Sequence, residues 1–170
     1  MQKLFTDVEI GIAINRIARI LNSTYYMKPP VCIVTLTGGL FFASDVMKQL
    51  IFDHTVDFIK VASYENNQQS NNITFSLFPD IKNIEGKDII LFEDIVDTGN
   101  TLKNITEKLN ECNIKKLTIV SLLDKPECRK VNINPDIIGY KVKKNDFVVG
   151  YGLDNNQIMR NLTSIYKINA

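Results

Sequence analysis

The 170-residue chain predicts an α/β fold, a mainly parallel twisted sheet flanked by helices. Short apolar runs of strand length alternate along it with segments whose apolar residues recur at helical spacing. Glycine-containing loops follow two of these runs, at 37–39 and 97–101. Because ligands of such sheets bind at the carboxyl ends of the strands, we expect both loops to belong to a functional site.

The first predicted element is an amphipathic helix. Thr6-Asp7-Val8-Glu9 fits a capping box, in which the threonine and glutamate side chains accept hydrogen bonds from each other's backbone amides. Pro29-Pro30 ends the secondary-structure element that precedes it. The apolar residues that follow the box at helical spacing are Val8, Ile12, Ala13, Ile17, Ile20 and Leu21.

Two further apolar runs predict strands. Val31 to Leu36 is β-branched, and the loop Thr37-Gly38-Gly39 leads from it into a second helical pattern. Val56 to Tyr64 predicts a third strand and runs into a polar tract, Glu65 to Asn72. That tract is either an exposed surface loop or a lid over a site. Ile73 to Phe78 has the length of a strand returning from it.

The stretch from Ile89 to Leu102 carries the strongest functional signal. An apolar strand is followed by three carboxylates, a small-residue loop and a helix. Free amides at such a junction form a seat for a phosphate. Carboxylates repel phosphate, so Glu93, Asp94 and Asp97 indicate Mg²⁺, sugar hydroxyls or a proton beside a phosphorylated ligand. Taken alone, without its neighbours, Asp97 is better explained as a loop or helix-cap aspartate.

The remaining segments complete one domain, residues 1–170. Lys116 to Leu123 predicts a strand, closed by Asp124-Lys125-Pro126. Ile137 to Val142 and Phe147 to Tyr151 predict two short strands, and Asp154 to Arg160 a turn or short helix. We expect the first helix and roughly residues 126–170 to form a small hood over the sheet.

Composition excludes several classes of protein. Hydrophobic content of 45% and charged content of 23% are ordinary for a globular domain, and a net charge of +1 gives no electrostatic case for a nucleic-acid or membrane partner. Cys32, Cys112 and Cys128 are too scattered for a zinc pattern and predict free thiols in a reducing compartment. With no apolar run of membrane-spanning length, we expect a cytoplasmic protein.

The glycine spacing excludes two kinds of phosphate loop. Neither the nucleoside triphosphatase pattern nor the dinucleotide-binding pattern is present. Glu93 to Thr101 instead closely resembles the diphosphoribosyl-binding motif of the type I phosphoribosyltransferases. Further segments are similar to the hypoxanthine and guanine branch of that family: Leu36 to Gly39, Val56 to Ile59 with Ser63-Tyr64, Leu122 to Lys125, Pro135 to Gly139, and Phe147 to Asp154.

The resemblance implies a fold and an activity. It implies the type I phosphoribosyltransferase fold, with a small hood formed by the chain ends. The implied reaction is purine salvage, in which the 5-phosphoribosyl group of 5-phosphoribosyl 1-diphosphate passes to hypoxanthine or guanine, giving IMP or GMP and pyrophosphate. Mg²⁺ is the implied cofactor, and the family usually forms homodimers or homotetramers.

Residue by residue, the resemblance assigns the phosphoribosyl half of the site. It implies that Asp97, Thr98, Gly99, Asn100 and Thr101 cradle the 5-phosphate. Glu93 and Asp94 would lie against the ribose hydroxyls and Mg²⁺. Asp97 would also sit beside N7 of the purine, where a carboxylate is a fitting general base.

The resemblance likewise assigns the residues that bind the base. It implies that Lys125, otherwise a solvated turn lysine, donates to the 6-oxo group and so selects oxopurines over adenine. Phe147, otherwise a core residue, would stack on the base, with the Val148 backbone at the opposite edge. Asp154 would be a second Mg²⁺ contact and Arg160 a pyrophosphate contact; a surface role for Arg160 is the alternative.

Two loops remain. Leu36-Thr37-Gly38-Gly39 resembles the family's pyrophosphate loop, which implies a non-proline cis peptide before Thr37. Ser63 and Tyr64 are implied to contact substrate, with a lid beginning at Tyr64. Thr37 and Asn100 stand where many relatives have lysine, so we expect weaker diphosphate binding than in those relatives.

Two rival functions stay open at this point. One is a phosphoribosyltransferase that prefers xanthine, because contacts to the purine's 2-substituent are mainly backbone. The other is a regulator that keeps the fold but binds nucleic acid. Near-neutral charge and the presence of Lys125 and Phe147 argue against the regulator.

Overall fold

The computed structural model describes residues 1–63 and 73–168. Strands and helices alternate through most of the chain. In chain order the elements are β1 (Gln2–Phe5), α1 (Asp7–Tyr25), β2 (Val31–Leu36), α2 (Gly39–Met47), β3 (Thr55–Ser63), β4 (Ile73–Leu77), α3 (Ile81–Ile84), β5 (Asp88–Val96), α4 (Asn100–Asn110), β6 (Lys116–Asp124), β7 (Ile137–Lys141), β8 (Phe147–Val149) and β9 (Ile165–Ile168).

A six-stranded sheet with the order β4-β3-β2-β5-β6-β7 forms the centre of the molecule. Its strands pair in parallel, except that β4 runs antiparallel to β3. The apolar runs of β2 and β5 lie side by side in the middle and are buried on both faces. The predicted α/β fold is therefore confirmed, and the carboxyl ends of β2 and β5 meet at one edge of the sheet.

Helices cover both faces of this sheet. On one face α1 and α2 pack over alternate residues of β2 and β5, such as Val34 and Phe92. On the other face α4 packs over the intervening residues, such as Ile33 and Leu91. Alternation of side chains along each strand divides the core into these two layers.

The first helix has the predicted capping box, with Thr6 and Glu9 bonded reciprocally. Its buried face differs from the predicted one, because Val8, Ile12 and Ile20 are exposed. The sequence carries apolar residues on more than one side of this helix, and only a stripe spaced by three and four residues faces the sheet continuously. That stripe is Ile10, Ala13, Ile14, Ile17, Ala18, Leu21 and Tyr25.

A second sheet, with the order β1-β9-β8, forms the hood and joins the two chain ends. The hood predicted from sequence was partly wrong. The first helix packs on the central sheet instead, and β7 is the edge strand of that sheet. Strand β1 was missed because its partner, β9, lies at the other end of the chain, and such a pairing leaves no local pattern.

Two contacts fasten the hood to the central sheet near the site. The Tyr151 hydroxyl donates to Asp45 at 2.6 Å, which ties the loop after β8 to α2. Gly152 lies so close to Gly38 that an added Cβ would fall 2.4 Å from the Gly38 carbonyl oxygen. Among the described residues, no helix combines the length and apolar character needed to cross a membrane.

Candidate active site

A pocket of about 310 Å³ lies at the carboxyl ends of β2 and β5, the edge predicted for the site. The loop from Leu36 to Gly38 forms one wall, and the segment from Glu93 to Thr101 forms another. The site residues predicted from sequence that line this pocket are Thr37, Gly38, Glu93, Asp94, Asp97, Thr98, Gly99, Thr101, Asp154 and Arg160.

The phosphate loop, residues Asp97 to Thr101, joins β5 to α4. The Thr98 hydroxyl accepts a hydrogen bond from the Asn100 amide at 3.3 Å and shapes the turn into the helix. Amides in the first turn of a helix have no partner within the helix, and the helix dipole adds partial positive charge there. The loop is therefore suited to hold a phosphate group.

Glu93 and Asp94 place two carboxylates beside this loop. Burial raises the pKa of Glu93 well above its usual range, and the charge of Asp94 raises it further. Burial also raises the pKa of Asp94, although the Ile95 amide and Arg160 counteract it. Two adjacent, poorly solvated acids of this kind favour a cation or hydroxyl donors nearby.

The described residues contain no cluster of three or more metal-ligating side chains. Asp154, the third predicted metal ligand, is paired with Arg160 at 2.7 Å and accepts from the Gln157 amide at 2.8 Å. Protein side chains thus do not preassemble the predicted metal set. Mg²⁺ is commonly bound by one or two carboxylates together with substrate phosphates, and Glu93 and Asp94 fit that arrangement.

The loop opposite the acidic pair has the cis peptide that the sequence resemblance implied, between Leu36 and Thr37. Gly38 lies directly against Asp94, since an added Cβ would fall 1.6 Å from Asp94 Oδ2. No larger residue fits at this position without moving the carboxylate. The glycine therefore allows the two walls of the pocket to approach each other.

Asp97, at the start of the phosphate loop, forms a pair with Lys125. The Lys125 ammonium donates to Asp97 Oδ2 at 3.3 Å, and its side chain is only 8% exposed, against 47% for Asp97. The Lys125 amide also donates to the Val96 carbonyl at 2.9 Å, across the ends of β5 and β6. A buried ammonium and an accessible carboxylate therefore stand together beside the phosphate seat.

Among the described residues, five predicted site residues lie outside the pocket lining: Gly39, Asn100, Lys125, Phe147 and Val148. Phe147 is 41% exposed on β8 of the hood, whereas Val148 is buried. Ser63 ends β3, but its side chain, Tyr64 and the polar tract up to Asn72 lie outside the described residues. Both interpretations of that tract, surface loop or lid, therefore stay predictions.

Sequence reasoning missed residues that shape the site from behind. Thr35 bonds the Phe92 carbonyl at 2.7 Å and lines the pocket. Arg129 donates to the Val96 and Asp97 carbonyls and pairs with Asp124. The only signal for Arg129 was a basic residue four positions after Lys125, which by itself indicates a solvated side chain.

Comparison with known proteins agrees with this geometry. Residues 2–156 match the phosphoribosyl transferase domain family. The chain belongs to the phosphoribosyltransferase family. This phosphoribosyltransferase is 39% identical over 163 residues to the hypoxanthine-guanine phosphoribosyltransferase of Staphylococcus aureus, across 95% of this chain and 90% of the relative.

Solved structures resemble it over nearly the whole chain. A hypoxanthine phosphoribosyltransferase from Staphylococcus aureus matches with a TM-score of 0.91 and 37% identity, covering 99% of this chain and 91% of the other. A hypoxanthine-guanine phosphoribosyltransferase from Bacillus anthracis matches with a TM-score of 0.92 and 31% identity, covering 99% and 98%. The type I phosphoribosyltransferase fold predicted from sequence is confirmed.

Proposed function

We propose that this phosphoribosyltransferase is a purine-salvage enzyme that transfers the 5-phosphoribosyl group from 5-phosphoribosyl 1-diphosphate to hypoxanthine, guanine or both. The products are IMP or GMP and pyrophosphate. The observation that carries the proposal is the pairing of the buried Lys125 ammonium with Asp97, next to a phosphate loop. It combines a donor for a 6-oxo group, a proton acceptor and a phosphate seat in one site.

The phosphoribosyl half of the substrate is held by the phosphate loop and the acidic pair. Amides of residues 98–101 receive the 5-phosphate at the start of α4. Glu93 and Asp94 accept hydrogen bonds from the ribose hydroxyls, which are on the same sugar as that phosphate. Thr37 and Gly38, on the opposite wall, face the pyrophosphate end.

The base half is selected by Lys125. Its ammonium can only donate, so it binds a 6-oxo group and leaves the exocyclic amine of adenine without a partner. Because the side chain is buried, that mismatch cannot be relieved by water. Asp97, more exposed than Lys125, accepts the proton from N7 and makes the attacking nitrogen more nucleophilic.

Transfer forms one bond and breaks one. N9 of the base bonds to the anomeric carbon as the bond from that carbon to the pyrophosphate oxygen breaks, and the electron pair leaves with pyrophosphate. When bound, Mg²⁺ would supply positive charge for the leaving group at Glu93 and Asp94. The same carboxylates lie near the sugar, where positive charge develops in an oxocarbenium-like transition state.

A steady-state assay of hypoxanthine, guanine and xanthine, with adenine as control, tests the proposal. We expect nucleotide from hypoxanthine or guanine in the presence of Mg²⁺, with kcat/KM for adenine lower by about 100-fold or more. Faster turnover of xanthine than of both others would replace it with a xanthine-preferring enzyme. No turnover, together with salt-sensitive RNA binding, would replace it with a regulator.

Asp97→Asn tests the proton acceptor. The amide cannot accept the N7 proton, so we expect the single-turnover rate with hypoxanthine to fall by about 10²–10⁴-fold. Asp80→Asn is a matched control, because Asp80 caps α3 at an exposed position and should leave the rate unchanged. A wild-type rate in Asp97→Asn would show that another group takes the proton.

A further inference from the structure

Arg129 lies behind the phosphate loop rather than in the pocket. It follows the 3₁₀ turn Pro126–Cys128, and its side chain is only 11% exposed. We propose that Arg129 is a positioning residue that fixes the phosphate loop and the Asp97–Lys125 pair in the geometry that binds the 5-phosphate. The inference rests on the proposed function and assigns a role to a residue outside the pocket lining.

The guanidinium joins the ends of two neighbouring strands. One nitrogen donates to the carbonyl oxygens of Val96 at 3.0 Å and Asp97 at 2.5 Å, at the end of β5. Another nitrogen pairs with the buried Asp124 carboxylate at the end of β6. Asp97 is the first residue of the phosphate loop, and Asp124 directly precedes Lys125. A single side chain therefore sets the separation of the phosphate seat and the base-selecting ammonium.

The backbone around Arg129 supports the same loop. The Lys130 amide donates to the Thr98 carbonyl at 2.9 Å, so the segment after Arg129 pairs with the phosphate loop. The arginine stem packs against Gly99, where an added Cβ would come 3.0 Å from Arg129 Cδ. The loop is thus held from behind at Asp97, Thr98 and Gly99. These contacts all lie on the backbone of the loop and use none of its side chains.

Only arginine meets these demands together. Its planar fork carries several donors in fixed directions, whereas a lysine ammonium has a single nitrogen. Arg129 Nε is buried without an acceptor among the described residues. A buried donor without a partner is unfavourable. The hydrogen bonds and ion pair of the other two guanidinium nitrogens must therefore hold the side chain in this position.

Two variants separate positioning from charge balance. Arg129→Lys keeps the positive charge beside Asp124 but cannot bond both carbonyls and the carboxylate. Asp124→Asn/Arg129→Met leaves no unpaired buried charge, so it avoids the main cause of misfolding. Arg16→Lys is the matched control, because Arg16 also donates to two carbonyls, those of Ile138 and Gly139 on β7.

The measurements are titrations with ribose 5-phosphate and, separately, with pyrophosphate and Mg²⁺. We expect both Arg129 variants to bind ribose 5-phosphate more weakly by about tenfold or more, and Arg129→Lys to bind pyrophosphate as the wild type does. A general loss of structure would weaken both ligands, and Arg16→Lys should weaken neither. Wild-type affinity for ribose 5-phosphate in either Arg129 variant would overturn the inference.

These titrations use no purine base, so they do not depend on which base the enzyme accepts. If the wild type failed to turn over any oxopurine, the proposed function would be wrong. If the wild type did turn them over, but Arg129→Lys bound ribose 5-phosphate normally, only the role of Arg129 would be wrong.

Discussion

Glu93 and Asp94 are adjacent acids in a place where neither is well solvated, and their ionisation opposes folding. At low pH, Glu93 is protonated in both the folded and the unfolded chain, so its burial as an ion does not lower the free energy of unfolding. As the pH rises through the ordinary glutamic acid value of 4.5, the unfolded chain releases its proton first, because burial raises the pKa in the fold. Stability present at low pH is therefore lost as the pH rises through the folded-state pKa.

Replacing Glu93 by glutamine should remove this loss. We expect Glu93→Gln to raise the Tm of the ligand-free protein at about pH 7, by about 2–4 °C for each kcal/mol regained, and to show little difference at about pH 4. Thermal unfolding across this range measures it. Glu127→Gln, at an exposed glutamate, should not change the Tm at either pH. An equal Tm gain at both pH values would mean that packing, not ionisation, is responsible.

At the scale of elements, the sequence predicted the strands of the central sheet well. The runs at Val31 to Leu36 and Lys116 to Leu123 are mainly apolar, because strands in a parallel sheet are buried on both faces, and the structure gives nearly the same bounds. The phosphate loop could also be recognised in the sequence, because its residues are contiguous. Local pattern therefore sufficed for the half of the site built on one strand, one loop and one helix.

Elements defined by distant partners were not predicted. Strand β1 and the buried face of α1 depend on β9 and on the central sheet, which the local sequence does not specify. Arg129 is a similar case at the site, because its partners at Val96 and Asp97 lie 33 and 32 residues away in the chain. Its role depends on the crossing of two segments, not on its neighbours in sequence.

The loop after β8 touches the loop from Leu36 to Gly39 at Gly152, and this contact depends on glycine. Gly152 has φ +96, a backbone conformation unfavourable for other residues, and an added Cβ would fall 2.4 Å from the Gly38 carbonyl oxygen. The loop also carries Tyr151, whose hydroxyl bonds Asp45. One short segment therefore fixes the hood against the wall of the pocket that faces the acidic pair.

Gly152→Ala should lower both stability and affinity. We expect a Tm lower by several degrees and weaker binding of pyrophosphate with Mg²⁺, because Gly38 must move. Gly11→Ala is the control: its Cβ meets nothing within 4 Å, and alanine is favoured in a helix by about 0.5–1 kcal/mol, so the Tm should rise slightly. Unchanged pyrophosphate affinity in Gly152→Ala would show that the hood does not position this wall.

Over the whole molecule, the pocket depends on segments from four parts of the chain, one of which is β3 with Val61. Residues near 36, near 97 and near 154 line it together, and the hood sheet that joins the two chain ends carries the last of them. Ligand that bridges these segments should stabilise the fold as a unit, because it binds the folded chain and not the unfolded one. If Mg²⁺ binds at the acidic pair as proposed, part of that stabilisation should depend on the cation.

Ligand-linked thermal stability can therefore separate the two halves of the site. At about 100 times its Kd a ligand stabilises the fold by about 2.7 kcal/mol, which is a rise in Tm of several degrees. Ribose 5-phosphate should raise the Tm equally with Mg²⁺ or with a chelator, because amides of the phosphate loop hold its phosphate. 5-Phosphoribosyl 1-diphosphate with Mg²⁺ should raise the Tm more than ribose 5-phosphate does. This additional rise in Tm should disappear with the chelator, because the diphosphate then faces Glu93 and Asp94 without a cation between them. The same rise with chelator and with Mg²⁺ would show that the diphosphate lies away from the acidic pair.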